Sequence, residues 1–131
     1  MTPSDVKSSS VVLTIEAIVA FVYGALFLFV PQWMFAMSQD PGVPTSLGWV
    51  RWSGGLLIGV GVAAWLASAK VETQRPLVVG LLVATALIAL SLLYSLFIGG
   101  YGGVAWFLWV PIAINACLAV AFAWWRRSWQ F

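Results

Sequence analysis

Four long apolar runs, separated by short loops, constrain the fold of this chain more strongly than any other feature. Each run is long enough to cross a hydrocarbon core of about 30 Å, which takes about 20 helical residues. The runs cover residues 11–30, 49–69, 77–98 and 104–125. The sequence therefore predicts an all-α polytopic membrane protein, with four transmembrane helices in a single domain over residues 1–131.

The composition excludes several other classes of protein. Apolar residues make up 63% of the chain and charged residues only 8%, too few to cover the surface of a soluble domain. Histidine is absent and Cys117 is the only cysteine, which excludes an internal disulfide, a zinc finger and histidine ligation of haem. We therefore expect no cofactor and no metal site. The net charge of +2 is too small to indicate nucleic acid as a partner.

The basic residues are sorted onto alternate loops. Arg51 is the exception, because it lies just inside the second span. The other five lie before the first span, between the second and third, or after the fourth: Lys7, Lys70, Arg75, Arg126 and Arg127. By the positive-inside rule, both termini are predicted to lie in the cytoplasm, which makes the bundle up-down-up-down.

The tryptophans support the same topology. Two belts at the two interfaces are typical of membrane proteins, because an indole ring combines an apolar body with a polar N–H. Five tryptophans lie near the predicted outer boundary: Trp33, Trp49, Trp52, Trp106 and Trp109. Four lie near the inner one: Trp65, Trp124, Trp125 and Trp129.

A cleaved signal peptide is the alternative interpretation of the first span. Residues 36–38, Ala-Met-Ser, loosely match a cleavage site. The apolar run before them is longer than the apolar region of a signal peptide, which has about 7–15 residues. We therefore expect the first span to be retained as a transmembrane helix.

Small residues indicate where the helices pack. In the second span they repeat every four positions: Gly55, Gly59, Ala63 and Ala67. Such a stripe lets two helix backbones approach closely in lipid. The first span has a shorter version in Ala20 and Gly24. The first and second spans are therefore predicted to be the closest pair, with a homodimer face as the alternative. Arg51 lies on the same stripe and is expected to face protein.

Glu16 lies within the first span, in its predicted inner half. Arg51 is too far away to pair with it, because about 20 Å separates them along the membrane normal at a rise of about 1.5 Å per residue. Thr14, Thr85 and Asn115 are the predicted hydrogen-bond partners of Glu16. Two roles stay open: a protonated carboxyl that donates a structural hydrogen bond, and a carboxylate that couples proton movement to transport.

Arg51 has partners of its own at a similar depth. The candidates are Asp40 in the outer loop, Tyr23 in the first span, and Ser91 and Tyr94 in the third. We expect a structural anchor whose side chain reaches the interface, with contact to a headgroup or a ligand as the alternative.

Pro111 and Asn115 complete the polar interior of the spans. Pro111 cannot donate a helix hydrogen bond, which predicts a kink or a local widening of the fourth span. Asn115 is expected to bond across helices. The chain contains no Ser-His-Asp, Cys-His or paired-carboxylate arrangement, so no catalytic residue is assigned and an enzyme is not expected.

The second span opens with a distinctive motif. Residues 50–55, Val-Arg-Trp-Ser-Gly-Gly, are followed by Gly59 and Gly61, and residues 29–31, Phe-Val-Pro, close the first span. This pattern resembles small bacterial four-helix membrane proteins of unknown function. The resemblance implies a bacterial cytoplasmic (inner) membrane and carries over no activity. A second likeness, to the small multidrug-resistance transporters, stops at Glu16.

These features predict a non-enzymatic structural or accessory membrane protein. Its expected partners are membrane lipids and either further copies of itself or other membrane subunits. The alternative is a proton-coupled carrier of a small lipophilic cation. That carrier would need Glu16 to reach a cavity among the helices, and Asn115 and Pro111 to shape the cavity.

Overall fold

The structure is a computed structural model that describes residues 3–41 and 47–126, without the side chains of Trp49 and Arg126. Two residues of the topology argument, Arg127 and Trp129, lie outside the described residues.

Five α-helices make up the described part of the chain, which contains no strand. Helix α1 spans Pro3–Phe29, α2 Pro31–Ser38, α3 Gly48–Ser68, α4 Arg75–Phe97 and α5 Ala105–Arg126, and a 3-10 turn covers Val71–Thr73. All except α2 are long and apolar enough to cross a membrane. The prediction of an all-α protein with four membrane spans is confirmed.

Helix α1 begins at Pro3, about two turns before the predicted start at 3.6 residues per turn. Proline suits a first helical position, and Asp5 in the first turn interacts favourably with the helix dipole. The Ser10 hydroxyl donates a 2.7 Å hydrogen bond to the Ser68 carbonyl and fixes this segment to the end of α3. Because these turns are polar, hydropathy alone did not reveal them.

Helix α2 was not predicted, because eight residues are too few to show a helical period. Pro31 is its first residue and Ser38 its last, and the residue that follows, Gln39, has a left-handed φ of 56° that terminates the helix. Met34 packs inward, whereas Trp33 and Met37 are exposed.

The long helices form two closely packed pairs. Helices α1 and α3 make the most extensive contacts, which confirms the prediction that the first two spans are the closest pair. They run antiparallel, since Ser10 meets Ser68 near one end and Gly24 meets Gly54 near the other. Helices α4 and α5 form the second pair, and contacts between the pairs are few.

The α1–α3 seam follows a different stripe from the predicted one. Gly54 is buried, and a Cβ added there would lie 2.7 Å from the Gly24 carbonyl oxygen. Gly55 and Gly59 are exposed, and an added Cβ would meet nothing within 4 Å. The prediction for these two residues is wrong. Four residues exceed a turn of 3.6 residues by about 40°, so the predicted stripe rotates from the surface at Gly55 to the interior at Ala67.

The bundle has a packed core near one end and a cavity farther along its length. One end carries Lys7, Lys70 and Arg75, and is called the basic end here. Next to it the side chains pack into a continuous core, which includes Leu13, Val71, Val78, Leu118 and Phe122. The space among the helices lies farther from the basic end, at the level of Ala20 and Tyr23.

A hydrogen-bonded latch, formed by Ser38, Tyr101, Gly103 and Val104, joins α2 to the loop before α5. The Val104 N–H donates to the Ser38 carbonyl at 2.7 Å, and the Tyr101 hydroxyl donates to the Val104 carbonyl at 3.0 Å. A Cβ added at Gly103 would overlap the Ser38 carbonyl oxygen. The latch therefore ties the end of α2 to the segment that leads into α5.

Candidate functional site

A cavity of about 400 Å³ lies among the helices, lined by side chains from all five. This is within the range of small-molecule sites, about 300–1,000 Å³. Four lining residues carry polar side chains: Glu16, Tyr23, Ser53 and Asn115. The remaining lining residues are apolar, so a bound molecule would be largely surrounded by hydrocarbon and aromatic groups.

Glu16 lies between the core and the cavity. The neighbouring residues Leu13 and Ala17 belong to the core, whereas Ala20 lines the cavity. Only 6% of Glu16 is exposed, and its Oε2 atom has no hydrogen-bond partner among the described residues. A buried carboxyl oxygen without a partner is unfavourable by about 1–3 kcal/mol.

The three predicted partners of Glu16 bond within their own helices instead. The Thr14 hydroxyl donates to the Ser10 carbonyl at 2.9 Å, and the Thr85 hydroxyl donates to the Leu81 carbonyl at 2.9 Å. The prediction that they serve Glu16 is therefore wrong. Threonine hydroxyls in helices commonly reach the carbonyl one turn earlier.

Asn115 also differs from its prediction. Its side-chain Nδ2 donates to the Pro111 carbonyl of the same helix at 2.8 Å, and the described residues show no bond from it to another helix. Pro111 itself has no N–H to donate to the preceding turn. Both residues line the cavity, as the carrier hypothesis required.

A row of aromatic rings forms the far wall of the cavity. Tyr23 and Phe27 lie 6.1 Å apart between ring centroids, and Phe27 stacks on Phe35 at 6.1 Å. Phe35 then meets Phe107 at 6.2 Å. The sequence analysis selected Tyr23 but missed the three phenylalanines, because Phe35 lies on the unpredicted α2 and phenylalanine is common in any membrane span.

Arg51 and Tyr94 do not join this site. The Arg51 side chain is exposed, contrary to the prediction that it faces protein, and it forms no hydrogen bond or ion pair with another described residue. Ser91, one of its predicted partners, donates to the Ile88 carbonyl. Tyr94 is also exposed. The small-residue stripe misplaced Arg51, because it rotates out of the seam at this end of α3.

A larger pocket lies beside Cys117, and it is not enclosed by several helices. It measures about 490 Å³ but is lined by residues of α5 alone, among them Val120 and Trp124. It is therefore a groove on the outer face of one helix.

Within the described residues, no group of histidine, cysteine and acidic side chains could hold a metal ion. The cavity offers one carboxyl, one phenol, one hydroxyl and one amide in an apolar wall. Such a site can hold a molecule with an apolar body and a single polar group.

A comparison with protein-family models matches residues 8–126 to a domain of unknown function, DUF4345. The chain belongs to this family. The match covers most of the chain, and it confirms the predicted resemblance to small membrane proteins of unknown function. No curated protein and no solved structure matches the chain. This DUF4345 protein is a multi-pass membrane protein, and its cavity is the starting point for a functional proposal.

Proposed function

We propose that this protein is a non-enzymatic integral membrane protein whose central cavity binds a small lipophilic molecule. The observation that carries the proposal is the buried Glu16 carboxyl, which lines the cavity and whose Oε2 atom has no hydrogen-bond partner in the described part of the chain. A ligand that donates a hydrogen bond to this atom would offset the cost of burying it.

The side chains that line the cavity indicate what the other parts of the ligand are. Apolar side chains such as Leu57, Ile88 and Leu92 favour a hydrocarbon body. The faces of Tyr23 and Phe27 attract a positively charged group. Lipophilic amines combine these properties, and lipophilic alcohols share the hydrocarbon body and the hydrogen-bond donor without the charge. Among the described residues no hydroxyl bonds to the Glu16 Oε2 atom, so the carboxyl activates no nucleophile in this structure, which favours binding over catalysis.

Binding can be measured by native mass spectrometry in detergent, with dodecylamine and dodecanol as probes. Leu92→Trp places a large ring in the cavity and is expected to weaken binding of both probes about tenfold, or roughly 1.4 kcal/mol. Leu87→Trp is the matched control, because Leu87 lies on the same helix and is 59% exposed. Absence of binding to wild type, or equal effects of the two variants, would contradict the proposal.

Proton-coupled transport is the second candidate function. It is favoured by the position of Glu16, because a proton and a bound cation would compete for the same carboxyl. In proteoliposomes, dodecyltrimethylammonium is expected to drive proton flux with wild type, and Glu16→Gln is expected to abolish it. Correctly folded protein with no flux in either form would exclude the carrier.

Self-association is the accessory part of the proposal, and the partner we propose is a second copy of this chain. Gly55 and Gly59 form an exposed face of α3 on which a second backbone could approach closely. Mass determination in mild detergent is expected to show a dimer or larger complex. A strict monomer with no co-purified subunit would exclude assembly and leave the cavity proposal standing.

The membrane we propose is the cytoplasmic membrane of a bacterium, with both termini inside. Support comes from the five basic residues on one side against one on the other, and from the glycine motif of α3. Fractionation of the native host is the test.

A further inference from the structure

A second cavity, here called the side cavity, lies beside the central one between α1, α2 and α5. It measures about 280 Å³, and its walls include Val22 and Leu26 of α1, Trp33 of α2, and Val110 of α5. Tyr23 supplies its one polar side chain apart from the indole N–H groups. Helices α1 and α5 make few contacts, which leaves room for this space.

The central and side cavities share part of their walls. Tyr23, Met34 and Phe107 line both of them. These side chains come from three different helices, and none is fixed by a covalent link to another. Methionine is unbranched and adapts its shape readily, so Met34 can yield to a passing chain.

The exposed rim of the side cavity is apolar and lies near the predicted outer boundary of the membrane, where its wall includes Trp33 and Trp106. Val22 is 52% exposed and Val110 is 47% exposed, and both lie within membrane-length helices. An opening lined by such residues admits molecules dissolved in the bilayer more readily than molecules dissolved in water.

We propose that the ligand is a single-chain lipophilic amine taken up laterally from the bilayer. Its amino group bonds to Glu16, and its alkyl chain passes Tyr23, Met34 and Phe107 into the side cavity. Glu16 and Leu26 are ten residues apart on α1, about 15 Å at the rise of an α-helix, so a molecule bonded to Glu16 must be elongated to reach Leu26 in the side cavity. This inference rests on the proposed function and adds the shape, the polar group and the entry route.

The test is photolabelling of the protein in lipid nanodiscs with a dodecylamine that carries a diazirine at the end of its chain. We expect saturable adducts on peptides that contain Val22, Leu26 or Val110, removed by a much lower concentration of unlabelled dodecylamine than of dodecanol, because only the amine carries a positive charge. Val110→Trp is expected to reduce this labelling about tenfold, equivalent to roughly 1.4 kcal/mol. Val83→Trp is the matched control, because Val83 is 51% exposed and lines neither cavity.

The outcomes separate this inference from the proposed function. Saturable adducts confined to central-cavity peptides of α3 or α4 would overturn lateral entry and leave central binding intact. Equal competition by dodecanol would overturn the amine. If no adduct is saturable in wild type, both proposals fail. The positions of the adducts in the wild-type protein decide the test, so its outcome does not depend on whether a variant folds.

Discussion

At the scale of the residue, the most unfavourable environment described here is that of the buried Glu16 carboxyl. Its neighbours Leu13 and Ala17 are fully packed, and Thr14 and Thr85, the threonines predicted to bond to it, donate to carbonyls of their own helices. A carboxyl in this position lowers stability unless something else compensates. Natural proteins retain such groups mainly where function requires them.

We therefore expect Glu16→Leu to raise the free energy of unfolding by about 1–3 kcal/mol, because it removes an unsatisfied buried oxygen from an apolar wall. The same variant is expected to lose amine binding. Thermal unfolding in detergent, followed by near-ultraviolet circular dichroism, measures the first effect. Glu16→Gln is the control of similar size, with stability close to wild type. A less stable Glu16→Leu protein would show that Glu16 has a stabilising partner.

At the scale of the element, the α1–α3 pair depends on which glycines face the seam. Gly54→Ala is expected to destabilise the protein by about 1–3 kcal/mol, because the added methyl group would press on the Gly24 carbonyl and the Leu28 N–H. Gly55→Ala, one position along the chain, is expected to cause no loss, since nothing lies within 4 Å. Both can be measured by thermal unfolding. Equal losses would mean that the seam is placed wrongly.

The latch gives a second matched pair of glycines. Gly103→Ala is expected to separate α2 from the loop before α5, because its methyl group would overlap the Ser38 carbonyl and crowd the Tyr101 hydroxyl. Gly102→Ala should be tolerated, since its nearest new contact would be 3.4 Å away, at Asp40. Hydrogen exchange of α2 is the measurement, and faster exchange is expected in Gly103→Ala alone. Unchanged exchange there would exclude the latch as the support of α2.

At the scale of the whole molecule, the charge bias predicts which loops face which side. In a Cys117→Ala background, a cysteine at Glu72 should react with a membrane-impermeant thiol reagent only from the cytoplasmic side. A cysteine at Gly102 should react only from outside. Both positions are exposed, so each can report accessibility. Reaction of Glu72→Cys from outside would reverse the topology.

Long-range properties of the chain could be predicted from sequence because they follow from length and hydropathy. A run of 20 apolar residues must form a helix in lipid, where every backbone N–H and carbonyl needs a partner within the segment. The four spans followed from such patterns, whereas the α1–α3 pairing was predicted from a stripe of small residues of which Gly55 and Gly59 lie outside the seam. Glu16, Tyr23, Asn115 and Pro111 could be selected because polar groups and prolines are conspicuous within apolar helices.

Only the tertiary structure decided how those residues are used. Which residues face the seam depends on how α3 is rotated about its axis. A repeat of four residues does not determine this rotation, because successive members of the repeat move around the helix, which has 3.6 residues per turn. The hydrogen bonds predicted for Glu16 compete with bonds to backbone carbonyls. Thr14, Thr85 and Asn115 each donate to a carbonyl oxygen one turn earlier in their own helix. The cavity is empty space between helices. No residue encodes it, because it exists only where the two helix pairs fail to pack completely against each other.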